Sequence, residues 1–119
     1  MAQTQNPKQY DLAERTSKFA KRAREFIKIL PKSLAGIEDG KQLIRASGSV
    51  GSNYLEAEES LSKKDFVMRI KICRKEAKES RYWLELIEPE EKYICEKEAL
   101  IKEATELTKI FGAIVEKSK

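Results

Sequence analysis

Residues 62–87 read SKKDFVMRIKICRKEAKESRYWLELI, and the spacing of their apolar positions decides the fold class. Phe66, Ile70, Cys73, Ala77, Ser80, Leu84 and Ile87 recur at alternating steps of four and three. That is the repeat of one face of an α-helix, and no strand-type alternation competes with it. Ser62, with Asp65 three residues on, supplies a capping arrangement at the start. Pro89 marks the end, because a proline ring interrupts the helical hydrogen-bond ladder.

The same period continues on both sides of this stretch. Upstream, Leu12, Thr16, Phe19, Ala23, Phe26 and Leu30 form a seam that stops at Pro31, widened by Ala13, Ala20 and Ile27. The segment KSLAGIEDGK (32–41) holds Gly36 and Gly40 and reads as a turn or a loose helix start. A second seam follows through Leu43, Ser47, Val50, Tyr54, Ala57 and Leu61. Downstream, Pro89 is expected in the first turn of a last helix, with Glu90 and Glu91 against its positive end. That helix carries Ile94, Ile101, Ala104, Thr108, Phe111 and Val115.

Four helices of about 20–27 residues with short connections predict an all-α, antiparallel up-down four-helix bundle. A long three-helix arrangement results instead if residues 36–61 break up. Residues 10–117 are then one domain, and residues 1–9, with Pro7 and nothing to pack, a disordered tail. The 119 residues suffice for a core without disulfide or metal staples.

Composition removes whole classes of chemistry. Histidine is absent, which excludes Ser-His-Asp and Cys-His triads, His-ligated zinc and Glu-x-x-His di-iron sites. Cys73 and Cys95 are too few for a disulfide scaffold and too far apart for a metal or redox motif. Cys73 sits on a seam and reads as a small core residue. SGSVGSN (47–53) superficially evokes a phosphate loop, but no Gly-Lys-Ser/Thr follows and no strand precedes it. No stretch reaches the roughly 20 uncharged residues of a membrane helix. The first ten residues lack a basic region followed by an apolar run, so the cytoplasm is the expected compartment. No enzyme activity, metal or cofactor is expected, and no membrane partner.

Charge is unevenly spread. Residues 1–50 hold ten Lys/Arg against five Asp/Glu, whereas residues 51–119 hold fourteen against fifteen. On the first helix, Arg15, Lys18, Lys21, Arg22 and Lys28 project away from Phe19, Ala23 and Phe26. A strip of this kind neutralises phosphates through counterion release, so these five are candidate nucleic-acid contacts. The plain alternative is the solvated face that any such helix needs. The run KKDFVMRIKICRKEAKESR (63–81) alternates in sign and reads as an ion-paired helix face without chemistry of its own.

Two polar stripes interrupt the seams. Arg45, Ser49, Ser52 and Glu56 lie along helix two with Asn53 adjacent; Ile72, Glu76, Glu79, Trp83 and Leu86 lie along helix three. Glu56, Glu76 and Glu79 could converge on a metal or a proton-transfer substrate. In the alternative, Arg45, Asn53 and Lys75 satisfy these carboxylates within the bundle or at a subunit contact. Tyr82 and Trp83 widen the apolar surface of helix three, as a filled core or a second neighbour would require. Gly48 and Gly51 inside helix two cost about 1 kcal/mol each, which the close approach of another helix offsets.

In order and at this spacing, these residues resemble a known family. The matching features are Glu14-Arg15 with Phe19, the Leu30-Pro31-Lys32 turn, Gln42-Leu43-x-Arg45, Ser49-Val50, Asn53 and Glu56-Ala57. They continue with Ser62, Asp65-Phe66, Lys75-Glu76, Glu79 and Tyr82-Trp83-Leu84. Over roughly residues 10–88 the chain resembles the four-helix-bundle family of 23S rRNA-intervening-sequence proteins. It departs at Gly48 and Gly51, where the family's familiar form has Ala, or Pro at the second place.

The resemblance implies a bundle that assembles as a ring-like homopentamer without enzyme activity. The accessory variability protein of diversity-generating retroelements is similar in fold, a basic pentamer that binds nucleic acid and a reverse transcriptase. Carried onto this chain, Arg45, Asn53, Glu56, Lys75, Glu76 and Glu79 are family positions. Together with Trp83 they are expected to form a structural network or subunit contact. The leading expectation is a non-catalytic homo-oligomer binding RNA or DNA through basic strips. The second is a scaffold for a protein partner such as a nucleic-acid enzyme; a carboxylate metal enzyme is the third.

Overall fold

The computed structural model describes residues 11–119. Four helices account for most of them: α1 (Leu12–Lys28), α2 (Leu34–Glu58), α3 (Lys63–Leu86) and α4 (Ile94–Lys117), with a 3₁₀ turn at Glu91–Tyr93. The three-helix alternative is thereby excluded. The expected tail, residues 1–9, lies outside the described residues.

Local chemistry sets the helix ends. Ser33 opens α2, its Oγ accepting from the Gly36 N–H at 3.0 Å. Ser62 opens α3 in the same way, accepting from the Asp65 N–H at 3.1 Å. Each hydroxyl satisfies one of the amides that the first helical turn leaves without a partner. At the far end of α3 the ammonium of Lys97 donates to the carbonyl of Ile87 at 2.8 Å, the cation that a helix C-terminus favours.

Each helix packs on its sequence neighbours, and α1 closes the ring by touching α4. Across the diagonal, α2 and α4 meet through core side chains, the rings of Tyr54 and Phe111 lying 6.2 Å apart. Arg45 lies beside Glu79 while Asn53 lies beside Arg69, so α2 and α3 run in opposite directions. Arg15 beside Glu103 and Arg22 beside Glu96 show the same for α1 and α4. The product is the up-down bundle, 44 Å in its longest dimension.

The core is the set of seams turned inward. Phe19, Phe26, Leu43, Ile70, Leu84 and Phe111 are fully buried, each of which stabilises by about 1.5–3 kcal/mol relative to exposure. Cys73 is among the buried residues, as its place on the α3 seam requires. Gly51 brings α2 against α1: a Cβ there would stand 3.0 Å from Thr16 Oγ1 and 3.4 Å from Thr16 Cβ. Gly48 faces only the guanidinium end of Arg24, at 3.4 Å.

Three sequence expectations are corrected. Pro89 lies in the extended link after α3 and not in the first turn of α4. Glu90, the residue after it, has extended backbone (φ −59°, ψ 152°), so regular helix resumes only beyond the 3₁₀ turn. On α4 the inward row is Leu100, Ala104, Leu107, Phe111 and Val115, with Ile101 and Thr108 half-buried and Ile94 exposed. The expected and observed rows share Ala104, Phe111 and Val115, and the positions of α1 and α3 decide that Leu100 and Leu107, not Ile101 and Thr108, complete the inward face. Leu61, 98% exposed, belongs to the α2–α3 turn because α2 ends at Glu58.

Candidate nucleic-acid interface

The five cations singled out on α1 do not share one environment. Arg15 is drawn into the seam with α4, its Nε and Nη2 donating to the two oxygens of Glu103 at 2.7 and 2.9 Å. Hydrogen bonding to Glu103 holds the Arg15 guanidinium above its ordinary pKa, despite partial burial that works the other way. Arg22 stands 3.6 Å from Glu96 in the same seam, and Lys28 pairs with Glu25 at 3.0 Å on the exposed side. Lys18 and Lys21 are exposed and have no carboxylate partner within 4 Å among the described residues. Helical phase explains the division. Arg15 and Arg22 are seven residues apart and fall on the flank toward α4, whereas Lys21 and Lys28 point outward.

The polar stripes of α2 and α3 meet each other in part. Arg45 bridges Glu76, at 3.4 Å, and Glu79, which also accepts from the Trp83 indole N–H at 3.4 Å. Partial burial pushes the Glu79 carboxyl up, but the hydrogen bonds from Arg45 and Trp83, with the charge of nearby Lys75, hold it below the ordinary range. Glu76 is buried, and Arg45 rises above its ordinary pKa through its hydrogen bond to Glu79. Asn53 makes a separate link: its Nδ2 donates to the Ser49 carbonyl and its Oδ1 accepts from Arg69, both at 2.9 Å. Lys75 and Glu56 are exposed.

Glu56 does not join Glu76 and Glu79. It lies eleven residues beyond Arg45 on α2, about 16 Å along the axis, toward the opposite end of the bundle. No group of three or more residues suited to holding a metal occurs among the described residues. The three carboxylates therefore do not form the shared site considered from the sequence.

The run 63–81 is also not paired along its own helix. Glu76 and Glu79 turn to Arg45 on α2, leaving Arg74, Lys78 and Arg81 on the flank toward α4. Arg81–Glu85 is the ion pair within α3 among the described residues. Packing has sorted the alternating charges to two sides. Arg69, Glu96 and Glu103 were likewise not singled out from the sequence, since their partners lie on other helices. The recurrence of Arg74, Lys78 and Arg81 at steps of four and three was the available signal.

These features define a four-helix bundle with four carboxylates, Glu76, Glu79, Glu96 and Glu103, committed to interhelical pairs and cations left on two outer surfaces. Residues 8–113 match the family described as 23S rRNA-intervening sequence protein, and the chain belongs to that family. Its structure is similar to that of a protein of unknown function from the S23 ribosomal protein family of Bacteroides thetaiotaomicron VPI-5482. The TM-score is 0.71 and the identity 29%, covering 87% of this chain and 97% of that one. No curated protein matches the chain. No helix among the described residues is long and apolar enough to cross a membrane.

Proposed function

We propose that this chain is a non-catalytic, cytoplasmic homo-oligomer, a ring of five, that binds RNA or DNA by phosphate charge. The observation that supports it is the outward pair Lys18 and Lys21, exposed and without a carboxylate partner among the described residues. Lys28, partly neutralised by Glu25, extends the same face; Arg15 and Arg22 contribute mainly to holding it against α4. Two or three cations bind weakly alone, and repetition around an oligomer turns weak contacts into useful avidity.

Leu34, Ile37, Leu86 and Ile94 support association. They are 79%, 50%, 46% and 41% exposed, and all sit near the end that carries the α1–α2 and α3–α4 turns. A grouping of large apolar side chains in solvent marks a contact surface. These side chains, with Leu55, Leu61 and Met68 exposed at the other end, equally support the second reading, a scaffold whose apolar surface receives a protein partner such as a nucleic-acid enzyme.

Anisotropy titrations of labelled structured RNA and duplex DNA at several salt concentrations test the first reading, with light scattering after gel filtration to count subunits. Affinity that falls steeply with salt, lost in K18E/K21E, is the expected outcome. Absence of binding at low salt transfers the function to the scaffold reading.

A further inference from the structure

We propose that the groove between α3 and α4 is a second polynucleotide site, one that takes the phosphodiester backbone of a single strand with a base against Tyr82. This rests on the nucleic-acid reading above and places the contact on a different face from α1.

The groove has a volume of about 370 Å³ and is lined by Lys78, Arg81, Tyr82, Thr105, Thr108 and Lys109. Lys78 and Lys109 are exposed and have no carboxylate within 4 Å among the described residues. Arg81 is held in place from both helices, donating to Thr105 Oγ1 at 3.0 Å and to Glu85 Oε2 at 3.0 Å. Glu85 is the acidic residue lining the groove and is occupied by that pair. One turn beyond Lys78, Arg74 lies over Gly112, where a Cβ would come within 3.8 Å of its Cδ. Arg74, Lys78 and Arg81, the last partly neutralised by Glu85, thus form a ladder with about one basic side chain per 5.4 Å turn, opposite Lys109.

A ladder of this kind follows a charged backbone; a planar wall gives the base somewhere to stack. Tyr82 is 53% exposed, and its ring is braced edge-on by Trp83, with centroids 5.1 Å apart. Trp83 is anchored in turn by its hydrogen bond to Glu79. The aromatic surface is therefore presented to solvent from a fixed position. Regular duplex keeps its bases stacked on one another, so the arrangement suits a single strand.

The test is anisotropy of fluorescein-labelled 20-mers of uridine and of deoxythymidine with the wild-type chain, K78E/K109E, Y82A and K63E/K64E. The last variant carries the same charge change at the opposite end of α3. Thermal melts confirm that each variant is folded. Expected are at least tenfold weaker binding by K78E/K109E with a salt slope lower by about 1.4, and about fivefold weaker binding by Y82A. K63E/K64E should stay within about twofold of wild type. Wild-type affinity in both K78E/K109E and Y82A, or an equal loss in K63E/K64E, overturns the groove assignment. Wild-type protein that binds neither strand also overturns the groove assignment; only if structured RNA and duplex DNA fail to bind at low salt as well does the nucleic-acid reading itself fall.

Discussion

Arg15 on α1 and Glu103 on α4 form a two-pronged ion pair, at 2.7 and 2.9 Å, across the seam where the first helix meets the last. The side chains keep only 21% and 19% of their exposure. Of the four helix-to-helix seams this one has the least packing, so the pair and its neighbour Arg22–Glu96 carry an unusual share of the closure.

A double-mutant cycle over R15Q and E103Q should therefore show a coupling of about 1–1.5 kcal/mol in urea denaturation. Additive losses would mean that α1 is held by its apolar seam alone.

The two glycines of α2 should respond oppositely to alanine. Gly48→Ala meets only the movable end of Arg24 and should stabilise by about 0.5–1 kcal/mol through helix propensity. Gly51→Ala meets Thr16, a stiff β-branched residue whose hydroxyl is bound to the Leu12 carbonyl at 2.7 Å. It should lower stability by about 1 kcal/mol. Thr16→Ala in the same chain should recover part of that loss, as thermal melts of the two variants and the double variant would show.

The acid limb of stability should report Glu79. Its folded pKa lies below the ordinary value, so its contribution is complete above about pH 4.5 and disappears as pH falls through the folded value. Urea midpoints of E79Q measured from pH 7 to pH 3 should fall less steeply below about pH 4.5 than those of the wild type. Parallel curves would assign acid sensitivity to other carboxylates.

The cysteines should separate by reactivity. Cys73 is fully buried and burial pushes its thiol up to about 12, while Cys95 is exposed. Iodoacetamide at pH 8 should alkylate Cys95 alone within minutes, and Cys73 only after denaturant is added. Mass spectrometry of the tryptic peptides distinguishes the two; early labelling of Cys73 would show that α3 opens locally.

Much of the fold was legible because helical period is a one-dimensional signal. The seam from Phe66 to Ile87 and the cap at Ser62 need only local geometry, and Gly51 announced a close helix by its cost. The α4 row was legible only in part: Ala104, Phe111 and Val115 point inward as expected, but Leu100 and Ile101, or Leu107 and Thr108, satisfy the same steps. The candidate interface was legible only as a list of cations. Lys18 and Lys21 kept the exposure expected of them, whereas Arg15 and Arg22 found acids roughly eighty residues away, beyond the reach of any local rule.

The amino-acid sequence by itself determined four helices, their order, their inward faces over α1–α3, and, through its lack of histidine, the chemistries the chain does without. Tertiary structure decided which charges remain available. In the run from Lys63 to Arg81 acids and bases alternate, and nothing local separates them. Packing α3 between α2 and α4 drew Glu76 and Glu79 to Arg45 on one side and left Arg74, Lys78 and Arg81 on the other. A buried or half-buried carboxylate must find a partner, whereas an exposed lysine need not. The sorting of charge, and with it the positive groove, is a consequence of assembly.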